Sequence, residues 1–320
     1  MRAIWLENNA LSLRSDVPVP EPLAGEALVK VRSAGICATD LELVKGYYPF
    51  TGIPGHEFVG EIVQAPDRPE RVGERVVGEI NVGCGSCVSC LAGRSNHCEQ
   101  RTVLGILNRH GAFAEYLCLP MKNLISIPED VPDDAAVFVE PLAAALEIQQ
   151  QIKILPTDRV LVLGAGRLGQ LIAQTLVLTG CDLQVAARYN NQRELLAACN
   201  INWIAENAIA AQSYEVVVDA TGSEKGFATA RSAVRPRGTV VLKSTYRSHI
   251  QLNISSLIVD EITLVGSRCG PFAPALRLIE KGLVDPAILI EARYFLKNIR
   301  SAFERAAQAG VLKVIVHIGE

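Results

Sequence analysis

The sequence has no surplus of positive charge. Its 31 Lys and Arg face 34 Asp and Glu, for a formal net charge of −3 over 320 residues, so no basic field exists to hold a phosphate backbone. Aromatic residues make up only 5% and are not interleaved with basic runs, which disfavours a nucleic-acid-binding module. An uninterrupted membrane-spanning run is missing too. The most apolar stretch, Val160 to Gly180, carries Arg167, two Gln and four Gly and reads as a buried strand followed by a helix. Met1 to Arg14 lacks the apolar core of a secretory signal, so the mature chain is expected to begin near Met1. Repeats, low-complexity segments and charged tails are absent. What remains is a globular chain with 49% hydrophobic and 20% charged residues, long enough for about two domains.

Nine cysteines without a signal sequence point to a reducing compartment, the cytoplasm. Four of them crowd between Cys84 and Cys98. The spacing Cys84-x2-Cys87-x2-Cys90-x7-Cys98 puts four soft ligands in one loop and suits a closed, tetrahedral, structural zinc. Surface disulfides fit such a compartment poorly; an iron–sulfur cluster is the other alternative.

Up to about Ile125 the chain reads as short β-like runs broken by Gly and Pro, among them Ala27–Arg32, Phe58–Gln64, Arg75–Ile80 and Ala114–Leu119. From Arg159 the rhythm changes to apolar strands alternating with helical segments, beginning with Val160–Leu163 and Leu168–Leu178. Such alternation predicts a parallel sheet covered by helices on both faces. The end, Leu289 to Ile318, reads as strands around a helix at Ile299–Ala309.

Directly after Val160–Leu163 comes Gly164-Ala-Gly166-Arg167-Leu168-Gly169. A lone GxGxxG string often marks only a tight turn, but here a strand precedes it and a helix follows, the context a dinucleotide site requires. Its glycines let a pyrophosphate approach the backbone, and the helix amino terminus supplies oriented N–H donors. An acidic residue at the end of the second strand would bond the adenosine ribose of NAD. Nineteen residues beyond Gly169 stands Arg188 instead, a guanidinium able to pair with a 2′-phosphate, so NADP is favoured over NAD. The alternative is that Arg188 is a solvated strand-end residue and the cofactor is NAD.

A second set of candidates is dispersed: Gly35-x-Cys37-x-Thr39-Asp40, Gly55-His56-Glu57 and Glu140-Pro141. Taken singly, each has a bland reading as a buried Cys, a satisfied His and a helix-start Glu. Together with the zinc loop, the GxGxxG run, Gly111-Ala-Phe113-Ala-Glu115-Tyr116 and Asp219-Ala-Thr221-Gly222, they resemble the zinc-containing medium-chain alcohol dehydrogenase family over nearly the whole chain. The resemblance implies an α/β architecture: a Rossmann domain with a doubly wound parallel sheet at 146–285, and a discontinuous GroES-like β-rich catalytic domain at 1–145 completed by 286–320, with the active site in the cleft between them.

By the same resemblance Cys37 and His56 are ligands of a catalytic zinc, completed by a carboxylate, either Glu57 or Glu140. Glu140 in Glu-Pro-Leu resembles the sorbitol and threonine dehydrogenase branch. Thr39 matches the hydroxyl that contacts the substrate oxygen and begins a proton relay, and Asp40 an orienting residue. Many relatives have His where this chain has Glu42, which leaves open whether Glu42, water or a cofactor ribose is the relay's outlet. Gly164, Gly166, Arg167, Leu168, Gly169, Arg188 and Thr221 are the expected cofactor contacts.

The implied activity is zinc-dependent hydride transfer between a secondary alcohol or polyol and NADP, with two Zn2+ per chain, by a homodimer or homotetramer without nucleic-acid or membrane partners. An NAD-dependent enzyme of the same family and a catalytically inactive NAD(P)-binding protein are the competing readings; a zinc-free reductase would lack the Cys37/His56 pair. Substrate-pocket candidates are Tyr47, Tyr48, Phe50 and the Ser267–Pro271 loop.

Overall fold

A computed structural model describes residues 1–47, 49–246 and 249–319. The chain divides into two compact units, Met1–Glu140 with Phe272–Glu320, and Pro141–Pro271. The return to the first unit thus comes earlier than residue 286. The helix Phe272–Glu280 buries Phe272, Ala275, Leu276 and Ile279, a spacing of one helical face.

The first unit is built on a seven-stranded sheet. In order it runs Leu124–Ser126, Arg75–Gly78, Glu57–Gln64, Glu26–Gly35, Lys313–His317 and Ile290–Phe295, with Tyr116–Pro120 also pairing Glu26–Gly35. All pairs are antiparallel except the last two strands of that order. Glu26–Gly35 alternates little, because both its faces are covered. Ala27, Val29, Val31 and Ala34 join the core that also holds Phe58, Leu117, Phe303, Val314 and Val316. Burying each larger side chain of this kind contributes about 1.5–3 kcal/mol.

The second unit holds a six-stranded, wholly parallel sheet in the order Asn202–Ile204, Asp182–Ala186, Arg159–Leu163, Tyr214–Asp219, Val234–Leu242 and Thr263–Gly266. Val160, Leu161, Val162 and Leu163 are all buried, the continuous apolar run that a parallel strand covered on both faces demands. The strand order reverses between Arg159–Leu163 and Tyr214–Asp219, where Leu163 pairs with Asp219. Ligands bind beyond the carboxyl ends of the strands at such a switch point. Sequence rhythm missed Asn202–Ile204, a three-residue edge strand too short to carry a period. No helix among the described residues is long and apolar enough to cross a membrane.

Candidate active site

The central strand of the first unit ends between two neighbours, Gly35 pairing with Glu57 on one side and with Ile315 on the other. This register brings Cys37, His56-Glu57 and Lys313 to one place although they are remote in sequence. A Cβ at position 35 would run into Glu57 Oε2 and force that buried carboxylate to shift. The chain then turns through Cys37, the N-cap of the helix Ala38–Val44. Ligand atoms of Cys37, His56 and Glu57 lie within 4.8 Å of one another.

Asp40 orients this group from behind. Fully buried, it accepts the Cys37 backbone N–H through Oδ2 at 2.8 Å and sets Oδ1 3.3 Å from His56 Nδ1. A carboxylate on Nδ1 leaves Nε2 free to ligate. Burial opposes charge on His56, yet Asp40 and Cys37 outweigh it and hold its pKa well above the ordinary value. Glu57 divides its carboxylate. Oε2 takes the buried ammonium of Lys313, while Oε1 is buried with no hydrogen-bond partner. Leaving such an oxygen unpaired is costly. A thiol sulfur, an imidazole nitrogen and a carboxylate oxygen within 4.8 Å of one another form a donor set that fits zinc.

Thr39 Oγ1 lies 3.9 Å from Cys37 Sγ, within sulfur hydrogen-bond range. Glu42, further along the same helix, pairs with Lys45 at 3.4 Å. Glu140 stands outside the 4.8 Å group, in the first turn of the helix Val139–Gln151. Burial pushes its carboxyl up to about 7, against the pull of His56, while Glu57 adds to the rise.

The four loop cysteines, Cys84, Cys87, Cys90 and Cys98, also lie with their sulfurs within 4.8 Å of one another. All are free thiols. Donors from Ser86 lead in pulling Cys84 down to about 6; against the Gly85 donor, burial and the neighbouring sulfurs push Cys90 up to about 11. Four sulfurs converging without a disulfide fit a tetrahedral metal site with no open position.

In the second unit a cavity of about 410 Å³ opens over the glycine turn, lined by Gly164, Gly166, Arg188, Tyr189, Glu206, Thr221 and Lys225 among others. Gly164 has φ +92, a left-handed conformation that glycine adopts without strain. A Cβ at Gly166 would meet nothing within 4 Å, so the space over the turn is open, and no side chain caps the helix Arg167–Leu176 that begins there. A helix start that no side chain caps, beside an open glycine turn, fits a pyrophosphate. Gly169 serves packing, since a Cβ there would strike the carbonyl of Gly164. Thr221 is fixed by Asp219, which accepts from its hydroxyl at 2.7 Å.

Comparison with known proteins agrees with this geometry. The model of the alcohol dehydrogenase GroES-like domain matches residues 23–129, and that of shikimate/quinate 5-dehydrogenase matches 147–238. L-Galactonate-5-dehydrogenase of Escherichia coli K12 is 30% identical, over 90% of this chain and 89% of its own length. The chain belongs to the zinc-containing medium-chain alcohol dehydrogenase family. Among solved structures, a putative zinc-binding dehydrogenase of Sinorhizobium meliloti 1021 bound to NADP superposes with TM-score 0.91 at 29% identity, covering 99% of each chain. An alcohol dehydrogenase, RspB, of E. coli CFT073 with NADH superposes with TM-score 0.90 at 29% identity, again covering 99% of each.

In this alcohol dehydrogenase, an NAD(P)-linked enzyme of the zinc-dependent type, the dispersed residues Cys37, His56 and Glu57 meet, with Thr39 and Asp40 beside them. Of the expected cofactor contacts, Gly164, Gly166, Arg188 and Thr221 line the cavity, whereas Arg167, Leu168 and Gly169 do not. Of the pocket candidates, Phe50 packs against the core of the first unit, Tyr47 is exposed, and Tyr48 lies outside the described residues. Reading the sequence missed Lys313, Glu206 and Lys225. Lys313 left one trace, a single charge inside the apolar run Val311–Val316; the other two left none.

Proposed function

We propose that this dehydrogenase oxidises a secondary alcohol or polyol reversibly to the carbonyl compound, with NADP as the preferred hydride acceptor. The observation that carries the reading is that ligand atoms of Cys37, His56 and Glu57 lie within 4.8 Å of one another, with Oε1 of Glu57 buried and without a hydrogen-bond partner. Relatives named for L-galactonate and L-threonine favour a hydroxyl on a secondary carbon. Zinc, when held by these residues, supplies a Lewis acid for the substrate oxygen. Thr39 Oγ1 takes the proton of the substrate hydroxyl as it gives up its own, and Glu42, three residues further along the same helix and beside Lys45, is the candidate acceptor on the way to solvent. Asp40, its Oδ1 3.3 Å from Nδ1, favours a proton on that nitrogen and so leaves Nε2 of His56 to ligate. Glu57 is the third ligand, because it alone of the two carboxylates is in the ligand cluster; Glu140 stays outside it.

Two zinc ions per chain, the second held by the Cys84–Cys98 loop, follow from the two donor sets. Nine free thiols suit a cytoplasmic setting. The second unit also offers a surface for a second copy of the chain. Among the described residues Thr263–Gly266 is an outer strand paired on one side only, preceded by a helix that exposes Ile258 and Val259; exposed edges with apolar flanks invite strand pairing, which supports a homodimer or homotetramer.

The test is a panel of polyols, hydroxy acids and simple alcohols with both cofactors. Arg188 should give NADP about a 10- to 100-fold higher kcat/KM than NAD, from roughly 1.4–2.8 kcal/mol, and Arg188→Asp should erase or invert the ratio through KM, since this contact is remote from the transferred hydride. A wild type that prefers NAD, or a ratio unchanged in the variant, defeats the NADP assignment. Metal content of Glu57→Gln against Glu140→Gln decides between the carboxylates.

A further inference from the structure

Three charged side chains from three separate segments meet in the dinucleotide cavity. Glu206 stands in a 3-10 turn after the strand Asn202–Ile204, Arg188 follows the strand Asp182–Ala186, and Lys225 is the second residue of the helix Glu224–Ala233. The Glu206 carboxylate bridges the two cations, Oε1 at 3.2 Å from Arg188 Nη2 and Oε2 at 3.2 Å from Lys225 Nζ. All three line the same cavity as the glycine turn. Two oxygens of one anion, each holding a different cation, are what a phosphate monoester would present there. The three charges sum to one positive unit.

We propose that Glu206 is an internal stand-in for the 2′-phosphate of NADP, which displaces it from Arg188 and Lys225, so that Glu206 limits and Lys225 shares the cofactor preference. This rests on the NADP reading above and deepens it. The exchange is favourable because a phosphate monoester carries about −1.5 to −2 charge and three acceptor oxygens, against one charge and two oxygens for the carboxylate. Glu206 can leave readily, since the side chains of Arg188, Glu206 and Lys225 are 62%, 46% and 77% exposed and solvated pairs hold weakly. In the free protein the bridge keeps two long side chains aimed into the cavity, which lowers their ordering cost when the cofactor arrives. It also presents a like charge to the incoming phosphate. The repulsion acts on nearly two phosphate charges, whereas the aiming is partly kept by an amide oxygen at the same position, so repulsion dominates in a Gln variant.

Isothermal titration of the full chain with NADP and with NAD tests this without reference to turnover. At low salt Glu206→Gln should tighten NADP about tenfold and move NAD by less than about twofold, on the Coulomb scale for charges a few ångströms apart in water. Lys225→Met should weaken NADP about tenfold, and the double variant should return to within about threefold of wild type, each effect shrinking at high salt. Retained NADP preference with sensitivity to Arg188→Asp, but an NADP Kd within twofold of wild type in Glu206→Gln, overturns the stand-in role and leaves the NADP reading intact. Weaker NAD binding in Glu206→Gln overturns it as well, because the carboxylate then grips the ribose diol. A wild type that prefers NAD, with neither Kd moved by Arg188→Asp, overturns both.

Discussion

Replacing Lys313 by Met removes the cation from a pair that is almost wholly buried, Lys313 being 2% and Glu57 1% exposed. The substitution keeps the volume and the straight aliphatic stem, so packing against Phe138, whose ring lies 5.3 Å from the ammonium, changes little. What changes is electrostatic. Glu57 is left with neither oxygen satisfied, since Oε1 already lacks a hydrogen-bond partner. Breaking a buried pair by deleting one member costs about 3–5 kcal/mol. For a domain of 150–250 residues each kcal/mol moves the midpoint by about 2–4 °C, so the metal-stripped variant should melt about 6–20 °C below the metal-stripped parent. Added zinc should recover more stability in the variant than in the parent, because the metal supplies the positive charge that Glu57 has lost. Lys313→Arg should lose less than Lys313→Met. The double variant Lys313→Met with Glu57→Gln should be more stable than Lys313→Met alone, because a neutral amide is cheaper to bury than an unpaired carboxylate. Thermal unfolding followed by circular dichroism, with the parent, Lys313→Met, Lys313→Arg, Glu57→Gln and the double variant each run stripped and zinc-loaded, completes the cycle. A Lys313→Met protein as stable as the parent, or a double variant whose loss is the sum of the two single losses, would refute the view that the ammonium holds the ligating carboxylate in place.

His56→Ala should abolish turnover while leaving the Kd for the dinucleotide nearly unchanged, because the cofactor cavity is lined wholly by residues of the other unit; titration and steady-state kinetics together check it. Thr39→Ala should lower kcat by about 10²–10⁴-fold, the usual weight of a proton transfer, with zinc content unchanged; normal turnover would place the proton path elsewhere. Metal analysis should find about two zinc ions per chain, and Cys98→Ser, at the one fully buried thiol of the loop, should lower both zinc content and thermal stability, since metal binding in a structural site is also folding free energy. Ile258→Asp should reduce the molecular mass seen in sedimentation without altering the monomer's circular dichroism; an unchanged mass would remove that face from the subunit contact.

The alternation of apolar strands and helices from Arg159 onward, the glycine turn with its strand before and helix after, and the four-cysteine loop could all be read directly, because each is set by neighbours a few residues apart. Local spacing is what side-chain period, turn chemistry and short-loop ligation depend on. The candidate catalytic cluster was readable only as separate fragments tied together by resemblance, since Cys37 and His56 meet through the pairing of Gly35 with Glu57. Lys313 lies 256 residues from Glu57 and reaches it because the strand Lys313–His317 happens to pair the other side of the same central strand. Similarly, Arg188 appeared in the sequence as an isolated cation able to hold a phosphate, and only the fold set Glu206 and Lys225 against it. Which charge faces which is fixed by strand register and helix placement over long separations, and burial then decides its weight: the Glu57–Lys313 pair is shut away from water, while the trio around Glu206 is exposed and held weakly.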